Sequence, residues 1–306
     1  MIYALRSDGE HEALQKNTYG LRLSCALGCF DGVHIGHRTL LRAAVNNFFG
    51  YTPAIWTFSS PLARPFIDPI NERLRICAEN GISLAICEDF EFVKDMSPKA
   101  FISHLVQDFG VGHFIVGEGF RFGASRAGDT DILKNIAKEL GASTTVVSHI
   151  TVDGEQKVSS SLIRDLIKNG EIERANSLLM RPMALDGTVV GGKQIGRTMS
   201  LPTVNLSLAD GRIIPKNGVY DTVCIVNGAR YPSITNIGSR PTVNNDPTSI
   251  TCETHIIGAD IDLYGENVKV EFLRYARPEK QFGSLDMLKD QINSDIEKRL
   301  EHDDIT

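Results

Sequence analysis

Leu27-GCFDGVHIGHRT-Leu40-Leu41 follows an apolar run and leads into a helical pattern. It sets His34 and His37 three residues apart, with glycines at 28, 32 and 36. A strand, a glycine-bearing turn and a helix in that order make the opening of a parallel α/β layer. Such a turn offers backbone N–H groups to an anion, helped by the helix dipole. His34 and His37, at i and i+3, share a face of the first helical turn. Gly36 permits close approach of a ligand to the backbone. Imidazoles there can donate to a phosphate whose charge grows in a transition state. Two plainer readings stand beside this one: a metal site, which lacks a nearby third ligand, and simple packing.

The same rhythm continues outward. "LRLSCALG" reads as a buried strand, and "TPAIWTF", "ISLAICED", "HFIVG" and "TTVVSHI" as further strands. Between them come helical patterns: Arg38 onward with Leu40, Leu41, Ala44, Val45 and Phe48 on one face, then "NERLRICAENG", a helix capped by Ser97 with Pro98 at its first position, and "DILKNIAKELG". Ligands of such sheets bind beyond the carboxyl ends of the strands, where the histidine stretch lies.

From Leu185 the pattern turns to short β-forming runs. Asn227-Gly228 in "VCIVNGARYPSI" fits a type I′ hairpin turn. "ITCETHII" and "NVKVEFLRY" alternate with period two. Ser284 caps a last helix, with Leu285, Leu288, Ile292, Ile296 and Leu300 as its expected apolar stripe. We therefore expect an α/β class: a Rossmann-like domain with a parallel sheet over residues 1–182, then a small antiparallel β-barrel with a closing helix over 183–306.

Composition narrows the function classes. The chain has 306 residues, 42% hydrophobic and 23% charged, enough apolar material for two cores. Its formal charge of −6 gives no general field for nucleic acid or an anionic membrane surface. No run approaches 18 apolar residues, and the N-terminus has no signal-peptide core. The six cysteines form no CxxC pair and read as reduced, mostly buried residues of a cytoplasmic protein.

Three further stretches carry chemistry. "KVSSSLIRDL" puts Ser159, Ser160 and Ser161 at a helix start, with Arg164 one turn in. An N-cap needs only one serine. "GTVVGGKQIGRTMSLPTVNLSL" surrounds Lys193 and Arg197 with Gly191, Gly192 and Gly196, as a phosphate-cradling loop or an ordinary turn would. In "PTVN", Thr203 and Asn205 point to one side of an extended chain and offer hard oxygen ligands suited to Mg²⁺. Glu253 shares a strand face with Thr251 and His255, either as a solvated face or turned toward a ligand.

"GCFDGVHIGH" together with the serine run resembles the nucleotidyltransferases that carry an HxGH motif. With "VGEGFRFG", "PTVN", "TNIGSRPTV", "CETHI", "DLYG" and "ARPEKQF" in order, nearly the whole chain resembles the bacterial bifunctional riboflavin kinase/FMN adenylyltransferase family. The resemblance implies that riboflavin and ATP give FMN, and that FMN and ATP give FAD and pyrophosphate. It implies that His34 and His37 serve adenylyl transfer, with Gly28, Phe30, Asp31, Gly36, Ser160, Ser161 and Arg164 holding nucleotide phosphates. In the kinase half, Gly191, Lys193, Gly196 and Arg197 would hold phosphate, Thr203 and Asn205 Mg²⁺, and Glu253 would be the base. Phe122, Arg240 and Arg277 would contact flavin. Three positions depart from the family pattern: Ser200-Leu201 before the "PT", the shortened "TFSSPLARP", and Gly119 in place of an acidic or amide residue. Two other readings remain: a kinase with a weak or altered first domain, and a flavin-binding module. The partners expected are small molecules, with neither nucleic acid nor membrane.

Overall fold

The computed structural model describes residues 3–6, 20–46, 50–60, 62, 65–154, 156–191, 203–208, 210–240, 249–259, 261 and 263–301. The chain divides into two compact units, Met1–Ser160 and Ser161–Thr306.

The first unit is a six-stranded parallel sheet in the order β1-β4-β3-β2-β5-β6. Its strands are β1 (Tyr3–Arg6), β2 (Leu23–Leu27), β3 (Thr52–Phe58), β4 (Leu84–Glu88), β5 (Val111–Gly117) and β6 (Ser143–Val147). Helices α1 (Ile35–Asn46), α2 (Ile70–Glu79), α3 (Phe90–Val93), α4 (Pro98–Phe109) and α5 (Thr130–Glu139) connect them. β2 is buried along its whole length because both of its faces are covered. Leu23, Cys25 and Leu27 pack with Phe101, Ile102 and Leu105 of α4. Ala26 faces the other way, with Leu40, Leu41 and Ala44 of α1. Val45 was expected on that face but is 37% exposed; at one position past Ala44 it has turned to the rim. Phe48 lies outside the described residues. As expected, Ser97 accepts from Ala100 N at 3.2 Å and Gly110 ends α4 in the left-handed conformation. β2 pairs with β3 on one side and β5 on the other, so the strand order reverses there. The turn after β2 therefore opens at the switch point of the sheet.

A short hairpin of β7 (Thr151–Val152) and β8 (Gln156–Lys157) precedes α6 (Ser160–Asn169) and α7 (Ile172–Leu179). The second unit thus begins before residue 183, where the change of rhythm places the boundary. Asn176 of α7 ties it to the barrel, donating Nδ2 to Phe272 O (2.8 Å) and accepting from Met183 N (2.7 Å).

The barrel closes in the order β10-β13-β12-β11-β14-β9. Its strands are β9 (Met183–Val190), β10 (Thr203–Leu208), β11 (Gly218–Val226), β12 (Ala229–Arg240), β13 (Ser249–Ile256) and β14 (Asn267–Arg277). Asn227 (φ 49°) and Gly228 (φ 83°) make the two-residue turn between β11 and β12, with Val226 facing Ala229. Both positive φ values are what a type I′ turn demands. Inside the barrel, four fully buried hydroxyls form a chain. Ser233 meets Thr222 at 2.8 Å, Thr222 meets Thr235 at 2.9 Å, and Thr235 meets Thr254 at 2.9 Å.

α8 (Leu285–Glu301) closes the chain, with Ser284 Oγ accepting from Met287 N at 3.2 Å. Its expected stripe is only partly right. Leu288, Ile292 and Ile296 are half-buried, but Leu285 and Leu300 are 58% and 53% exposed. The deeply buried residues are Asp295 and Arg299. Both are held by polar partners on the barrel, a cause that apolar periodicity does not register.

Candidate active sites

In the first unit the histidine turn is built from behind. Gly28 N donates to Trp56 O (3.1 Å) and ends the strand. Phe30 (φ 50°), Gly32 (φ 84°) and Val33 (φ 38°) curl the chain in the left-handed region, an arrangement that clusters at functional sites. The Asp31 carboxylate turns inward, accepting from Ile67 N (2.9 Å) and Asp68 N (3.2 Å), so it shapes the turn. Ser160 Oγ donates to Asp31 O at 2.8 Å, which ties this serine to the same turn. Arg73, 1% exposed, donates to Cys29 O at 2.8 Å from below. No sequence signal marked it: Cys29 O and Thr57 Oγ1 are distant in the chain, and Asp68 O is a backbone carbonyl.

His34 is the side-chain cap of α1: its Nδ1 accepts from His37 N at 3.3 Å. That fixes the neutral tautomer with the proton on Nε2, a donor directed away from the helix. The two imidazoles stack with centroids 3.7 Å apart, and Phe30 meets the His37 ring edge-on at 5.3 Å. Burial lowers His34 to about 4. His37 is held well below its ordinary value by burial, then by His34 and Arg73. Both rings are therefore neutral at physiological pH and able to donate. A Cβ on Gly36 would lie 3.2 Å from the His34 ring, so the glycine leaves space for the cap itself.

Arg164 donates to Ser161 Oγ at 3.2 Å across the first turn of α6. Gly119 sits beside a hydrogen-bonded pair, Lys157 Nζ and His149 Nε2 at 2.7 Å: a Cβ there would lie 3.3 Å from His149 Nε2 and 3.5 Å from Lys157 Nζ. Phe122 is 6% exposed within the core and stacks on Phe120 at 5.6 Å, so core packing accounts for its ring and Phe120 is the more open of the two.

In the barrel, strand register assembles the second site. Thr203 faces His255 and Asn205 faces Glu253 across β10 and β13, while Asn236 faces Glu253 from β12. Thr203, Asn236, Glu253 and His255 line a cavity of about 340 Å³, together with Arg277, Glu279, Lys280, Phe282 and Asp295. Asn236 Nδ2 donates to Glu279 Oε1 at 3.2 Å. Asp295 was not foreseen, although an acid at i+3 and a base at i+7 within an apolar stripe beginning at Ile292 is a legible irregularity. Gly191 closes β9, where a Cβ would meet only Tyr264, at 3.6 Å. Arg240 ends β12 opposite Ser249. Lys193, Gly196 and Arg197 lie outside the described residues, as do Ser200, Leu201 and Pro202. Among the described residues no three His, Cys, Asp or Glu side chains gather as a metal site. None of their helices is long and apolar enough to cross a membrane.

A switch-point turn with an imidazole cap, followed by a closed barrel holding a carboxylate beside a hydroxyl and an amide, defines a nucleotidyltransferase unit joined to a kinase-type barrel. The comparisons agree. Residues 17–162 match the FAD synthetase model and residues 179–302 the riboflavin kinase model. Proteins named bifunctional riboflavin kinase/FMN adenylyltransferase are similar over nearly full length. That of Escherichia coli K12 is 33% identical, covering 94% of each chain, and that of Bacillus subtilis 32%, covering 90% of this chain and 91% of its own. A solved structure from Streptococcus pneumoniae, described as a macrolide-efflux protein, shares the fold with a TM-score of 0.86 at 26% identity, over 98% of this chain and 100% of that one. The chain belongs to the bifunctional riboflavin kinase/FMN adenylyltransferase family.

Proposed function

We propose that the chain makes both flavin cofactors: the barrel phosphorylates riboflavin with ATP to FMN, and the parallel-sheet unit adenylylates FMN to FAD with release of pyrophosphate. The observation that carries the reading is the register placing Glu253 between Asn205 and Asn236 at the cavity face. In phosphoryl transfer the protein positions reactants, neutralises charge and accepts the nucleophile's proton. Glu253 is the acceptor of the riboflavin hydroxyl proton. The Thr203 hydroxyl and Asn205 amide oxygen, two residues apart on one face of β10, suit a Mg²⁺ that arrives with nucleotide phosphates. Bound there, the ion would neutralise charge on the transferring group.

In the other unit, the His34 Nε2–H and the N–H groups opening α1 donate to ATP phosphates. Neutral imidazole strengthens such hydrogen bonds as negative charge develops on the oxygens around the α-phosphorus. Ser160, bonded to the same turn, supplies a further donor to phosphate. Five of the six free cysteines are buried, which suits the reducing cytoplasm. One observation favours a second reading, a kinase with an altered first domain. At Gly119, where the resemblance implies an acidic or amide group, the nearest groups are His149 and Lys157. Two assays test both readings. FMN formation from riboflavin and ATP is expected, as is FAD formation from supplied FMN. Absence of the first refutes the kinase reading, and absence of the second alone selects the altered domain.

A further inference from the structure

Arg277 ends β14 at the wall of the cavity, and its guanidinium is fixed before any substrate arrives. Its Nε donates to both oxygens of Asp295 at 3.1 and 3.0 Å, and its Nη2 to Oδ2 at 2.7 Å. Nη1 gives one hydrogen bond to Pro278 O at 3.1 Å. The Asp295 side chain is 5% exposed and that of Arg277 20%. The carboxylate is itself braced by Gln291 Nε2, which donates to Oδ1 at 2.9 Å. One turn along α8, fully buried Arg299 donates its Nε to Thr222 O at 3.2 Å, anchoring the helix to β11. The pair engages the side edge of the guanidinium, Nε with Nη2. One N–H on each terminal nitrogen remains, the fork that matches anionic or carbonyl oxygens.

We propose that Asp295 is a positioning residue for riboflavin phosphorylation, acting through Arg277. This rests on the reading of the barrel as the kinase half. A long arginine side chain left loose would lose its rotamer freedom each time substrate bound. Held by Asp295 on an anchored helix, it loses that freedom on folding instead. Asp295 is thus expected to govern the affinity and alignment of substrate while leaving the chemistry to Glu253.

The test is a double-mutant cycle in the full chain. Asp295→Asn removes the charge and one acceptor, Arg277→Ala removes the group that is positioned, and a third variant carries both. kcat and KM for riboflavin phosphorylation are read in each, with FAD formation from supplied FMN as the internal control. Asp295→Asn is expected to lower kcat/KM by about 10-fold to 100-fold, mainly through KM, as loss of a contact held equally in ground and transition states does. Arg277→Ala should lower it at least as much, and the double variant should be no worse than Arg277→Ala alone. Asp295→Glu, which keeps the charge but moves it by one methylene, should recover part of the activity. It carries the same cycle should Asp295→Asn fail to fold. Full additivity in the double variant overturns the proposal, since Asp295 would then act independently of Arg277. So does equal loss of both activities, which marks a merely structural role. An active wild type with a fully active Arg277→Ala variant also overturns it. A wild type that cannot phosphorylate riboflavin overturns the function reading instead.

Discussion

Replacing Gly36 by alanine separates the stability of the first unit from its chemistry. The new Cβ would stand 3.2 Å from the Cε1 and Nδ1 atoms of His34. Ordinary contact between such atoms is about 3.5–4.0 Å, so the ring must withdraw by roughly 0.5 Å. Its hydrogen bond from His37 N is already 3.3 Å long and would be lost, at a cost of about 1 kcal/mol, typical of a missing N-cap. Alanine in place of glycine within a helix returns up to about 1 kcal/mol. The two nearly cancel, so the melting temperature should move by no more than about 4 °C. Catalysis has no such offset. A misplacement of 1 Å can cost about 10²-fold, so half that distance should cost on the order of 10-fold in FAD formation. The assay is FAD formation from supplied FMN beside riboflavin phosphorylation on the same preparation, with a thermal melt of the variant. FMN formation should be unchanged. A folded Gly36→Ala protein that makes FAD within about 2-fold of the wild-type rate would refute the role given to the His34 ring.

Glu253→Gln preserves shape and hydrogen bonding but not basicity, so riboflavin phosphorylation should fall by about 10²–10⁴-fold. FAD formation from FMN should stay normal, and a kinase-active Gln variant sinks the assignment. His34 and His113 are both held at about 4 by burial, whereas an unfolded histidine titrates near 6.5. Between those values the unfolded chain binds protons that the folded chain refuses, so these groups make stability rise with pH across that window. His104 opposes them. Burial would lower it, but the carboxylates of Glu88 and Asp108 raise it, so its contribution is full at low pH and lost as pH rises through the raised value. The single tryptophan, Trp56, donates to buried Glu88 at 2.6 Å and reports this unit alone. Its urea midpoint should fall between pH 6.5 and 4.5, and a flat profile contradicts the balance. A fragment of residues 161–306 should fold and make FMN. One beginning at 183 lacks Asn176 and its two hydrogen bonds to the barrel, and should melt lower; equal melting temperatures would show that α7 is dispensable.

The parallel sheet and the barrel were readable because burial imposes period. β2 through β5 are apolar runs bounded by turns, β6 (Ser143–Val147) is a more exposed Thr/Val edge strand, and Asn227-Gly228 announces its hairpin by the conformations those residues tolerate. β1 was not legible: four residues pairing with β4 across some eighty positions leave no local pattern. The histidine turn was visible as a motif, but the role of His34 as cap needed the geometry. Asp295 and Arg299 were hidden for a related reason. Their burial is stabilised by Arg277 and by the Thr222 carbonyl, partners that only closure of the barrel supplies. Glu253 was named from its stretch of sequence, whereas its neighbours Asn205 and Asn236 came together through register.

The hydroxyl chain inside the barrel has a consequence for how this sequence can evolve. Each of Thr222, Thr235, Ser233 and Thr254 satisfies a neighbour that no water reaches. An apolar replacement of one strands the next, at about 1–3 kcal/mol, whereas replacing a whole set of partners by apolar groups of the same shape is close to neutral. Single steps therefore descend into a valley that a concerted change would cross. The four positions form one epistatic block, expected to persist or to be exchanged together among descendants of this chain. In a deep mutational scan their pairwise variants should be milder than the sum of the singles.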